Sequence, residues 1–155
     1  LAHGRLPADQ TVIDFGCGVV GDHVFLNRQK GGRVLAVGYD PVYHPDDTLL
    51  QRKYDIALCT YVLCTIPDEL ERLGVIARLH SLLNDGGMAY ITVRNGKDQT
   101  GFRRDGSWQG LIRMDWPVLC RTGEYVIYHL WRHAPGTDPF RVEATTRKGK
   151  NHANR

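Results

Sequence analysis

The chain has 155 residues, 42% of them hydrophobic, and 20 Lys and Arg against 17 Asp and Glu give a formal charge of +3. That length fits one domain, and that apolar content supports a core and excludes a disordered polymer. No apolar run approaches the roughly 20 residues of a membrane span, and the basic excess around Arg94–Arg113 and beyond Arg141 would suit an anionic partner such as nucleic acid without requiring one.

The opening Leu-Ala-His-Gly-Arg-Leu-Pro has no apolar centre of a signal peptide, so a cytoplasmic location and no membrane association are expected. It starts with Leu, as a piece of a longer protein would. Thr11–Phe15 reads as a buried strand and Asp22–Lys30 as a short helix stopped by Gly31 and Gly32. Arg33–Tyr39 is a second strand, followed by a proline-rich acidic link from Val42 to Lys53. Tyr54–Cys59 is a third strand. Pro67–Leu83 has the strongest helical pattern: Pro67, Asp68 and Glu69 suit its start, and Leu70, Leu73, Ile76, Ala77 and Leu79 recur at helical spacing. Asn84–Gly87 should stop that helix before a strand at Met88–Val93.

Beyond Arg94 the alternation ends. Asn95–Gly110 is polar and glycine-rich, Leu111–Leu119 reads as a strand broken at Pro117, and Tyr125–Trp131 as a strand rich in aromatic and β-branched residues. Phe140–Thr146 alternates like a half-exposed strand, and 148–155 reads as a disordered basic tail behind a single domain spanning 1–147. Strands alternating with helices, then strands alone, predict an α/β fold with a mostly parallel sheet and antiparallel C-terminal strands.

Val12-Ile-Asp-Phe-Gly-Cys-Gly18 carries the clearest functional signal: an apolar strand with an acid near its end, then a glycine turn into a helix. Such a turn brings main chain close to a ligand, and Gly16 and Gly18 leave room for it. Asp40 ends the second strand, where an acid could accept two ribose hydroxyls. Cys59-Thr-Tyr-Val62 ends the third strand beside it. The spacing Gly16-x-Gly-x-x-Gly21 also matches the dinucleotide pattern, so a small NAD(P)-dependent oxidoreductase stays open from the turn alone.

With Gly38-Tyr-Asp-Pro41, Tyr54-Asp-Ile-Ala-Leu-Cys-Thr-Tyr-Val62 and the helix into Leu82-Leu-Asn-Asp-Gly-Gly87, the chain resembles the class I S-adenosylmethionine-dependent methyltransferases over residues 11–94. The resemblance implies a Rossmann-like fold and S-adenosylmethionine as cofactor. Gly16, Cys17 and Gly18 would form its turn, Asp14 would help hold the amino-acid end, and Asp40 would bind the ribose. Pro41 would border the adenine, with Thr60 and Tyr61 near the methionine moiety or the acceptor. Two departures stand out. Val20 occupies the place of the family's usual third glycine, which comes at Gly21. Only 13 residues separate Asp40 from Tyr54, too few for a crossover helix and strand, since a βαβ unit needs about 30. The sheet should therefore lack one edge strand, and Asp46 or Asp47 would be the nearest acids to take over the adenine contact. A short Gly-Tyr-Asp-Pro link also resembles methyltransferase-like proteins associated with DNA phosphorothioation.

Methyl transfer from a sulfonium asks the protein chiefly for alignment and a water-poor pocket, so no general base is required by the chemistry. Tyr61, His44 and Asp105 are the candidates if one is used. The Asp/Asn-Pro-Pro-aromatic motif of nucleic-acid amino-methyltransferases is absent; Thr60-Tyr-Val-Leu63 stands there, which disfavours base amino groups as acceptors. Trp108 could stack on a flat substrate or simply pack. His80, His129 and His133 read as structural, Ser81 and Ser107 lack a nucleophile setting, and the cysteines, having no C-x-x-C pair, suggest neither a metal nor a disulfide framework. The expected function is methyl transfer from S-adenosylmethionine to an unidentified acceptor, small molecule or nucleic acid; a cofactor-binding subunit without activity is the alternative that the trimmed fold raises.

Overall fold

Short β-branched and apolar segments pair in parallel at the centre of the computed structural model, which describes residues 9–28, 34–96 and 100–133. They are β1 (Thr11–Phe15), β2 (Leu35–Tyr39), β3 (Tyr54–Thr60) and β4 (Leu83–Arg94), with α1 (Asp22–Asn27) after β1 and α2 (Glu69–Leu82) after β3. A two-stranded hairpin follows, β5 (Gly101–Phe102) with β6 (Trp108–Gln109), and then β7 (Val118–Arg121) and β8 (Tyr125–Trp131). The main sheet has the order β2-β1-β3-β4-β8-β7. Its first four strands are parallel, and β8 joins antiparallel to both β4 and β7. The strand expected at 140–146 and the tail from 148 lie outside the described residues.

The two helices flank opposite faces, as right-handed crossovers that step in opposite directions across a sheet require. On the α2 face lies the larger core, in which Ile13, Ala57, Cys59, Ala89, Ile91, Val93 and Tyr128 meet Leu79 and Leu82. On the α1 face, Val12, Ala36 and Ile56 pack with Leu26 and Leu58. Alternation along each strand places successive residues on the two faces.

Among the described residues β2 is the edge of the sheet, and no strand takes the place of the edge strand expected to be missing. The short link closes instead with a tight turn, bridged from Asp40 to His44, and one 3-10 turn at Asp47–Gln51 that buries Leu49. Asp46 caps that turn by accepting from the Thr48 N–H, and Asp47 accepts from the Tyr39 hydroxyl. Both acids serve the link itself rather than taking over a contact to adenine.

Three expectations need correction. The apolar stripe of α2 is buried only toward its C-terminal end: Leu79 and Leu82 are inside, while Leu70 and Leu73 in its first turns are exposed. Asn84–Gly87 does not separate helix from strand, since α2 runs directly into β4. Pairing moves from Tyr54↔Leu83 to Ile56↔Met88, so the extra residues bulge out, with Gly86 at φ +80°. Leu111–Pro117 is not a strand: Ile112, Met114 and Trp116 pack irregularly on the core, and β7 starts after Pro117, which has no N–H to give a ladder.

Candidate functional site

The carboxyl ends of β1, β2 and β3 converge on the glycine turn. Gly16 and Gly18 have φ of +75° and +63°, values that L side chains rarely adopt. The N–H groups of Gly16 and Cys17 donate to the Tyr39 carbonyl at 2.8 and 3.1 Å, and that of Gly18 donates to Asp40 Oδ2 at 3.0 Å. The turn therefore spends its N–H groups on β2 instead of offering them to a ligand, contrary to the simplest reading of a glycine-rich turn. A Cβ at Gly18 would meet nothing within 4 Å, so the turn is open on that side.

Acids surround it. Asp14 is 2% exposed, and its Oδ2 accepts from the His23 N–H at 3.1 Å and lies 3.2 Å from His23 Nδ1. A Cβ at Gly21 would fall 2.3 Å from that oxygen, so the glycine displaced to position 21 makes room for the Asp14–His23 pair. Asp40 Oδ1 accepts from the Val42 and Tyr43 N–H groups. Burial works against the Asp40 charge, but the three backbone donors from Tyr43, Val42 and Gly18 outweigh it and hold the carboxyl below its usual range. Asp22 Oδ2 accepts from the Thr60 hydroxyl at 2.9 Å.

A cavity of about 160 Å³ lies here, lined by Asp14, Gly16, Cys17, Gly21, Asp22 and Thr60. Pro41 sits beyond Asp40 on an exposed rim with Val19, Val42 and Tyr43, on the side where the edge strand is missing. Burial, aided by Asp14 and Asp40, pushes the Cys17 thiol up to about 11, so it stays protonated and is no nucleophile. Tyr61 follows Thr60 with φ +61°, held by its N–H on the Thr92 carbonyl, and is directed to a second cavity of about 500 Å³. Arg94, Gln109, Gly123 and Glu124 line it with Tyr61. Thr65 and Gly96 line it too, and these residues come from β4, the hairpin, the β7–β8 turn and the segments between, so topology brings them together; Gln109 and Gly96 lie in the polar segment 95–122 that the sequence suggests faces the substrate.

A turn ringed by Asp14, Asp22 and Asp40, with the N–H groups of Gly16, Cys17 and Gly18 already bonded, is less suited to a pyrophosphate than to a cationic ligand. That chemistry disfavours a dinucleotide and fits a sulfonium that also carries an ammonium. A family model described as a methyltransferase domain matches residues 1–134. The chain belongs to the methyltransferase family. It is a methyltransferase that uses S-adenosylmethionine, and the oxidoreductase reading of Gly16–Gly21 falls.

Among solved structures, the methyltransferase is similar in fold to the 1,6-didemethyltoxoflavin-N1-methyltransferase of Burkholderia thailandensis, solved with 1,6-didemethyltoxoflavin and S-adenosylhomocysteine. The TM-score is 0.54 at 20% identity, over 82% of this chain and 72% of that one. An O-methyltransferase family protein from the same organism gives 0.50 at 16% identity, over 83% of this chain and 52% of that one. No curated protein matches the sequence. The family match does not reach the phosphorothioation grouping.

The base candidates separate in space. His44 Nε2 lies 3.2 Å from the Val19 carbonyl, beside the glycine turn, and Asp105 accepts from Ser107 within its own hairpin turn. Neither lines the larger cavity. Tyr61 does, but burial, with Cys64, Tyr125 and Glu124 adding to it against Arg94, raises its phenol, so it remains a neutral hydrogen-bonding group. Trp108 takes the packing role: Arg72 covers its ring at 5.8 Å, and a Cβ at Gly110 would fall 2.1 Å from it. No group of His, Cys, Asp and Glu among the described residues could hold a metal ion. No helix among them is long and apolar enough to cross a membrane.

Proposed function

We propose that the methyltransferase holds S-adenosylmethionine across the glycine turn and methylates a small polar acceptor in the adjoining cavity. The observation that carries this reading is the acid-ringed turn, open at Gly18, separated only by the Thr60–Tyr61 step from a cavity of about 500 Å³. In it, Asp14 faces the amino-acid end of the cofactor, and Gly16, Cys17 and Gly18 give its backbone close approach. Asp40 accepts from the ribose, Pro41 borders the adenine, and Thr60 and Tyr61 flank the methionine moiety. When bound, the cofactor supplies an activated methyl group; the residues around it supply alignment and exclude water.

The larger cavity falls in the range of small-molecule sites, roughly 300–1,000 Å³. Arg94 and Glu124 bring one charge of each sign to it, which suits a polar acceptor and gives no preference for an anionic one. Its neutral phenol and its amide can orient such a molecule. Transfer of labelled methyl from S-adenosylmethionine should be seen with members of a panel of small heteroaromatic, amine and hydroxyl compounds and not with DNA or RNA. Labelling confined to nucleic acid would overturn the acceptor class.

A further inference from the structure

The reading of the turn as the cofactor site leaves the half-buried imidazole of His23, beside Asp14, without a role. Its ring lies against Gly38 of β2 and Asp14 of β1. A Cβ added to Gly38 on β2 would fall 2.3 Å from His23 Cε1 and 2.5 Å from Nδ1, so the ring fills the place where any other residue at 38 would put its side chain. Nδ1 lies 3.2 Å from Asp14 Oδ2, and the His23 N–H donates to that same oxygen. An ionised carboxylate only accepts, so a neutral His23 carries its proton on Nδ1. Gly21 and Gly38, both without a Cβ, leave the room that the Asp14–His23 pair fills at the wall of the small cavity.

We infer that His23 is the positioning residue for Asp14 in cofactor recognition. The inference rests on the proposed contact between Asp14 and the cofactor's amino-acid end. Two N–H donors, the His23 backbone and its Nδ1, meet the same oxygen of Asp14 and orient the carboxylate toward the ligand ammonium.

The test is calorimetric titration of the whole chain with S-adenosylhomocysteine. Gly38→Ala, which displaces the ring, should weaken binding about tenfold while a thermal melt shows the chain folded. His23→Asn keeps an N–H donor near the Nδ1 position and should bind within about threefold of the parent. Parental affinity in Gly38→Ala, or collapse of binding in a folded His23→Asn, would overturn the inference. Absence of S-adenosylhomocysteine binding by the parent would instead overturn the cofactor reading of the turn on which it rests.

Discussion

Asp40 acts at two levels in the site. Its carboxylate ties the Gly18 N–H to the end of β2 and also accepts from Val42 and Tyr43, so it shapes the turn before it meets any ligand. Because those donors hold its carboxyl below the usual range, the charge is present throughout the neutral region and would be lost only in strong acid. Asp40→Ala removes both the proposed ribose acceptor and the Gly18 tether. S-adenosylhomocysteine affinity should drop at least about tenfold, measured by calorimetry; unchanged affinity would mean that the acid only holds the turn together. Asp14, Cys17 and Tyr61 show how differently residues from one motif behave. One is a buried carboxylate, one an inert thiol, and one a strained tyrosine facing another cavity.

Among elements, the parallel strands were the most legible, because each is a run of apolar residues that only a sheet covered on both faces can bury. Their order follows from short right-handed crossovers. The irregular parts were not legible. The β5–β6 hairpin has two residues per strand, too few for a period, and Ile112, Met114 and Trp116 reach the core from a segment without regular structure. The β4 bulge was hidden because Asn84–Gly87 has the composition of a helix stop. A polar clasp holds that region. Asp55 at the start of β3 accepts from the N–H and hydroxyl of Thr11 on β1 and from Asn84 on β4. The Thr11 N–H, with Asn84 and the Thr11 hydroxyl, lowers its carboxyl against burial. A lowered folded value contributes stability that is present above the unfolded value and lost as pH falls through the folded one. Asp55→Ala should cost about 1–3 kcal/mol near neutrality, with a smaller gap at about pH 3, followed by urea unfolding. An equal gap at both pH values would contradict a charge-dependent clasp.

On the scale of the whole molecule, the sheet is trimmed at one edge and the cofactor turn survives the loss. The link that replaces the missing strand closes on itself through Asp40, His44, Asp46 and Asp47, which leaves Val42 and Tyr43 exposed beside the turn. The proposed cofactor pocket rests on residues that the sequence already orders, Asp14, Gly16, Gly18 and Asp40, and that the fold gathers at one turn. The acceptor cavity was less legible, because its walls come from strand ends and turns far apart in sequence. The central claim is that this trimmed fold binds a cationic sulfonium nucleoside at the acid-ringed turn. Calorimetric titration with S-adenosylmethionine, S-adenosylhomocysteine and NAD tests it most directly. The account predicts saturable one-to-one binding of the first two and no heat with NAD; silence with both sulfur nucleosides at millimolar concentration, or binding of NAD in their place, would contradict it.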